Sequence, residues 1–387
     1  MNINWNEALR DVMPEVIEWR RWLHRHPEVS GQEAGTREYL ESRLTEMDIP
    51  FTCVSDCYGL VATLDNGGGA CVAIRADMDA LPVTEATGLS FASEHPGVMH
   101  ACGHDTHMAM ALGSARWFST HRDSWKGTIK WLFEPQEETV GGGKHMVEEG
   151  CMEHPTVDCV IGQHVNPSLP VGTFFSRPGS VSGSSDELYL TVHGKGCHGA
   201  YPHAGVDAIV ITAQIISALQ SLVSRTISPF TPAVITFGTI QGGRANNVVA
   251  DEVRLTGTLR TLTVETRKEL QDKMKKLCCS IAEGMGGTAE LTIRPSYGAV
   301  TNDAHYYAIV EKAAREICPE VITREAPSLG VESFCYFEDH TPGVYYDLGS
   351  GVSTALHSST MVIDEGVLET GIAMQCAAVL GILEEKE

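Results

Sequence analysis

Apolar residues recur at helical spacing from the start of the chain: Trp5, Leu9, Val12, Val16, Trp19 and Leu23. That pattern predicts one amphipathic opening helix that stops before Pro27. Apolar runs then alternate with helical stretches. VAIRA (72–76), TIKWLF (128–133) and CVIGQHV (159–165) read as buried strands, and HMAMALGSARWF (107–118) as a helix between them. Alternation of this kind predicts an α/β fold with a mixed, largely parallel sheet flanked by helices. Ligands of such sheets collect at the carboxyl ends of the strands.

The texture changes near residue 180. RPGSVSGSSDE (177–187) is rich in Gly and Ser and reads as a linker. After it come YLTVHG, a helical stretch at 207–224, strands at 233–240 and 252–262, a long helix from Val264 to about Ala282, and a strand at 289–295. The order β-α-β-β-α-β is that of a ferredoxin-like α+β sandwich. From Asn302 the α/β texture returns. The expectation is a larger domain of residues 1–183 and 296–387, interrupted by an inserted domain of residues 184–295.

Composition agrees with two domains, since 387 residues exceed the usual size of a single core. A formal net charge of -22 argues against a nucleic-acid partner, which needs a basic face. No run approaches the ~18 apolar residues of a membrane span, so no membrane partner is expected. The start, MNINWNEALRDVMPE, lacks the basic and apolar regions of a signal peptide. The twelve cysteines are scattered, and most read as reduced, buried thiols of a cytoplasmic protein.

Cys102 stands apart because of its neighbours in HACGHDTH (100–107). Its thiolate and the imidazole of His104 are both good ligands for borderline divalent metals. Alone, the pair is a weak signal, and a polar turn with a buried thiol is the commoner outcome. LFEPQEE (132–138) ends an apolar strand on adjacent carboxylates, Glu137 and Glu138. Burying both is costly unless a cation or a proton intervenes. His164 closes the run VIGQHV, and His357 lies in a Gly/Ser-rich loop after VYYDL. Each of these alone means little. Together, Cys102, His104, Glu138, His164 and His357 follow elements that could line one sheet edge, enough donors for two ions sharing a water. GGGKH (141–145) lacks the Ser or Thr of a phosphate loop, and SGSS (182–185) lacks a nucleophile elbow.

With these pieces in order, the sequence resembles the M20 zinc-peptidase family, in its amidohydrolase subgroup of aminoacylases, hippurate hydrolases and auxin-conjugate hydrolases. The resemblance rests on LHRHPEVSGQE (23–33), AIRADMDALPV (73–83), HACGHDTHMAMALG (100–113), LFEPQEE (132–138), GQHVNPSLPVG (162–172), GKGCHGAYPHAGVDAI (194–209), GGRANNVVADEVRLTGTLR (242–260), ESFCYF (332–337) and LHSSTMVIDEGVLETGIAM (356–374). It covers nearly the whole chain.

The resemblance implies that Cys102, His104, Glu138, His164 and His357 hold two divalent ions, zinc or manganese. Glu138 and His357 would take one ion, His104 and His164 the other, with Cys102 close to both. Glu137 would be the general base, with Asp79 supporting the site from behind. The inserted domain would act as lid and homodimer surface. From it His198 would donate to the oxyanion, often into a partner's site, while Asn247 and Arg260 would hold the substrate carboxylate. The implied reaction is hydrolysis of the amide of an N-acyl amino acid or amino-acid conjugate by a metal-activated water. A dipeptidase, carboxypeptidase or ureido-acid hydrolase on the same scaffold is the alternative. Three departures from the family pattern bear on pocket shape: HSSTM lacks the usual Pro, Ala250 replaces another, and Ser333 replaces the usual Asp.

Overall fold

The opening helix forms in two pieces, Trp5–Ala8 and Met13–Arg25, in the computed structural model, which describes residues 3–139 and 141–385. The break corrects the single helix expected above. Pro14 stands in the first turn of the second piece. It has no N–H, and its ring clashes with a helical turn before it, so proline starts a helix more readily than it continues one.

The chain divides into two compact units. One comprises Met1–Val181, Thr301–Ala326 and Ser333–Glu387; the other comprises Ser182–Val300 and Pro327–Glu332. The second is a few residues longer at each end than the 184–295 read from sequence, and it takes in a short return segment.

The larger unit is built on an eight-stranded mixed sheet. Its order is Phe51–Cys53, Leu60–Asp65, Thr128–Glu134, Cys71–Asp77, Cys159–Asn166, Gly343–Gly349, Thr173–Ser176, Glu320–Thr323. The four central strands, from Thr128–Glu134 to Gly343–Gly349, run parallel to one another. Their carboxyl ends, Glu134, Asp77, Asn166 and Gly349, therefore share one edge of the sheet. Every residue of Thr128–Glu134 and Cys71–Asp77 is buried, as strands covered on both faces require. The helices Met13–Arg25, His104–Thr120 and Val367–Glu385 pack against one another, and the last two also pack on the sheet.

The smaller unit is a four-stranded antiparallel sheet with two helices. The strand order is Thr288–Pro295, Ser184–His193, Glu252–Thr261, Ala233–Gly242. Helices Ala208–Arg225 and Val264–Gly284 pack on it through Ile211, Ile215, Leu219, Leu270, Met274 and Cys278, all buried. This is the ferredoxin-like arrangement.

Helices Ala208–Arg225 and Val367–Glu385 are long and apolar enough to cross a membrane, by length and composition alone. That corrects the expectation that no run approaches such a length. Val367–Glu385 is apolar all round because it is mostly buried within its unit. Ala208–Arg225 buries one face on its own sheet. No disulfide joins any of the twelve cysteines, and seven of them are buried.

Candidate metal centre

Each expected donor of the larger unit lies at the carboxyl edge of the central strands. Cys102 and His104 flank Gly103, which has φ +89. A Cβ there would lie 2.5 Å from Val165 Cγ2 and 2.6 Å from Ile363 Cδ1, so only glycine lets the chain turn this tightly into the helix His104–Thr120. His164 sits inside the strand Cys159–Asn166 rather than after it. Glu137 and Glu138 follow Glu134 through Pro135 and Gln136, the latter at φ +60. His357 takes φ +66 and donates its backbone N–H to Ala101 O at 2.7 Å, tying its loop to the Cys102 segment. Two non-glycine residues in the left-handed region beside one site mark backbone held by its surroundings.

The donors converge. Ligand atoms of Cys102, Glu138 and His357 lie within 4.8 Å of one another, as do those of His104, Glu137 and Glu138. His357 Nε2 is 3.2 Å from Glu138 Oε1, and Cys102 Sγ is 3.5 Å from His164 Nε2. His104 donates Nδ1–H to Asp79 O at 2.8 Å, and His164 donates Nδ1–H to Val165 O at 2.8 Å. When neutral, both rings thus offer Nε2 as the lone-pair nitrogen, the tautomer a metal ligand needs.

A third group, Asp77, His104, His107 and His164, also has ligand atoms within 4.8 Å of one another. Asp77 and His107 were not among the residues expected from sequence. Val165 donates its N–H to His107 Nε2 at 2.9 Å, so that nitrogen is an acceptor already in use. The ring proton is therefore on Nδ1, and Asp77 Oδ1 accepts it at 2.6 Å. His107 is spent on protein contacts and is not a free ligand. Its spacing from His104, three residues along one helix face, was the available signal. Asp77 in turn accepts from Arg75, which also binds Glu134 and Ser333.

Asp79 lies behind the acidic pair. Its Oδ1 accepts the Glu137 N–H at 3.1 Å and its Oδ2 the Glu138 N–H at 3.0 Å. Ser30 Oγ donates to Asp79 Oδ2 at 2.6 Å. The Ser333 N–H donates to Glu137 Oε1 at 3.3 Å.

The electrostatics fit divalent cations. Burial would raise Cys102, but the imidazoles of His164 and His104 hold it well below the ordinary thiol range, as the ligating thiolate. Burial and the nearby Cys102 charge push Glu138 up to about 7. Two anions crowded in a buried cluster are what a cation relieves. The buried His104 Nε2 has no hydrogen-bond partner of good geometry. Thiolate, imidazole and carboxylate together suit zinc or manganese.

The remaining expected residues belong to the smaller unit. His198 is exposed, and its Nδ1 accepts the Ala200 N–H at 3.1 Å, so a neutral ring carries its proton on Nε2. Val248 pairs with His198 in an isolated bridge, and Gly199 N–H donates to Asn247 O at 2.7 Å. His198 and Asn247 therefore share one end of this unit. Arg260 does not join them. It is half-buried near the other end of the strand Glu252–Thr261, opposite Ser185. At roughly 3.4 Å per residue the span from Glu252 to Arg260 is about 27 Å.

Comparison with known proteins bears on the same residues. The family model described as peptidase family M20/M25/M40 matches residues 73–381. A thermostable carboxypeptidase from Saccharolobus solfataricus is 37% identical over 382 residues, covering 94% of this chain and 95% of its own. An N-acetyldiaminopimelate deacetylase from Halalkalibacterium halodurans is 36% identical over 363 residues, covering 93% of this chain and 97% of its own. Among solved structures, a Bacillus subtilis dinuclear metal-binding peptidase of the M20 family superposes with a TM-score of 0.86 at 32% identity, covering 97% of this chain and 99% of that one.

Proposed function

This chain belongs to peptidase family M20/M25/M40 and is a metal-dependent hydrolase, and from that premise we propose that it cleaves the amide bond of N-acyl amino acids or amino-acid conjugates. One observation carries the reading: two adjacent carboxylates stand on a turn that Asp79 grips by consecutive N–H groups, within reach of a thiolate and imidazoles.

Glu138 and His357, with Cys102, would hold one divalent ion; His104 and His164, with Cys102 between, would hold a second. Bound there, the ions supply Lewis acidity and lower the pKa of water toward neutrality. Glu137 accepts the proton of the attacking water and delivers it to the departing amine nitrogen. Asp79 fixes the direction of both carboxylates through the backbone. His198, with its proton on Nε2, donates to the carbonyl oxygen as charge develops.

Asn247 and Arg260 would grip the substrate carboxylate. A small substrate cannot touch two ends of one strand about 27 Å apart. The reading therefore uses two chains: His198 and Asn247 reach a partner's site, and Arg260 does not join them there. The strand Ala233–Gly242 is an edge of its sheet and exposes Val234 and Ile240, and the adjacent helix exposes Ile209 and Val210. These apolar residues support a homodimer through the smaller unit.

Carboxypeptidase activity is the second reading, favoured by the similarity to the Saccharolobus solfataricus protein. The test strips the protein of metal and reloads it with Zn²⁺ or Mn²⁺. It then compares kcat/KM on N-acetyl and N-benzoyl amino acids, dipeptides and ureido acids. The reading expects the acyl amino acids to be preferred; preference for dipeptides would replace it with the second.

A further inference from the structure

Three consecutive backbone N–H groups, those of the proposed base and of the residues on either side of it, donate to distant carboxylates. Glu137 and Glu138 donate to Asp79; Gln136 donates to Glu33 Oε1 at 2.9 Å. Glu33 stands immediately before the helix Ala34–Glu46, at the position where a side-chain oxygen can cap the helix, and makes no such cap. Glu28 takes that task, accepting the N–H groups of Gly35 at 3.1 Å and Thr36 at 2.7 Å. Glu33 is 0% exposed, and its Oε2 is buried without a hydrogen-bond partner. A glutamate buried at this cost, whose carboxyl faces the backbone N–H groups of Gly31, of Glu33 itself and of Gln136, 103 positions away, points to a task in joining these two loops.

The last of these amides belongs to the residue that turns the chain. Gln136 holds φ +60, and the chain at Gly31 leaves room for it: a Cβ on Gly31 would lie 2.9 Å from Gln136 Nε2. A glutamine in the left-handed region is strained and persists only where its surroundings overdetermine it.

We propose that Glu33 is a positioning residue for the hydrolysis proposed above, on which this inference rests: it fixes the left-handed turn at Gln136 and so sets the aim of Glu137. Without that acceptor the turn keeps Asp79 and the Gly141 N–H on Gln136 O at 2.9 Å but loses its hold on the Gln136 N–H.

The test uses the full chain as wild type, E33Q, E33D and E33A. Burial pushes the Glu33 carboxyl up to about 7, so glutamine is a close mimic of its neutral form. E33Q keeps an acceptor at the same reach; E33D withdraws it by one methylene; E33A removes it. Two quantities are read: hydrogen exchange of the backbone amides 136–138 in chelator-treated protein, and kcat against KM in protein saturated with metal. E33Q is expected to match wild type in both. E33D and E33A are expected to exchange faster at 136–138 and to lose about 10²-fold in kcat, the scale of a ~1 Å misplacement, with KM little changed. Unchanged exchange in E33D and E33A, or E33Q as impaired as E33D, overturns the proposal. So does unchanged kcat in an otherwise active enzyme. If E33A does not fold, the contrast between E33Q and E33D decides. If wild type hydrolyses no N-acyl amino acid, the functional reading fails, and the exchange comparison still decides the role of Glu33.

Discussion

Asp79 holds Glu138 by the backbone: Asp79 Oδ2 accepts the Glu138 N–H at 3.0 Å, leaving the Glu138 carboxylate beside Cys102 and His357. The first prediction follows. Asp79→Asn places a donor where one of the two N–H groups needs an acceptor. Metal affinity is expected to fall about 10–100-fold, the usual effect of losing support behind a ligand. Metal titration of the purified variant measures it, and wild-type affinity would remove Asp79 from this role.

His107 is expected to behave as a stabilising residue and not as a ligand. His107→Leu leaves the Val165 N–H and one oxygen of Asp77 without their partner. Each buried group left unsatisfied costs about 1–3 kcal/mol. Urea unfolding of metal-free protein should show that loss, while the folded variant binds as many ions as wild type. Loss of one bound ion with unchanged stability would make His107 a ligand after all.

The elements and the ligand segments were legible in the sequence because local signals carried them. Apolar runs marked the buried strands, and donor pairs stood on the turns that follow. The opening helix was misread because the period continued across Pro14, whose backbone chemistry the pattern does not register. The roles of His107 and Glu33 were not legible. Each is decided by one backbone N–H, of Val165 and Gln136, that only the fold brings near. The distance from His198 to Arg260 likewise needed the strand register.

Glu338 gives a pH dependence away from the metal donors. Burial pushes it up to about 8, against the pull of the Thr301 N–H, and its Oε1 has no hydrogen-bond partner. An unfolded Glu titrates near ~4.3. Between these values the folded chain binds one more proton than the unfolded chain, so this group's stabilising contribution is complete below the lower value. It is lost as pH rises through the higher one, by at most ~1.4 kcal/mol per pH unit. Glu338→Gln keeps an acceptor for Thr301 and has no such slope. Unfolding free energies at pH 5 and pH 8 should show the variant gaining on wild type at the higher pH. Parallel curves would contradict the assignment.

The shared site is tested by mixing inactive proteins. His198→Ala and Glu137→Ala are each expected to lose at least ~10²-fold in kcat. In a mixed dimer with donation in trans, one of the two sites has both residues intact. Activity should return on mixing once subunits exchange. A mixture as inactive as its parents, with exchange verified, would place His198 in its own subunit's site or outside the chemistry.

The account stands most directly on the division of labour between Glu137 and Glu138, and one measurement reaches it: the rate of hydrolysis per bound metal ion in Glu137→Gln protein. The account predicts a full complement of metal and a rate lowered by ~10²–10⁴-fold, the range for a lost general base. Metal lost together with activity would make Glu137 a ligand, and a wild-type rate per bound ion would contradict its role as the base.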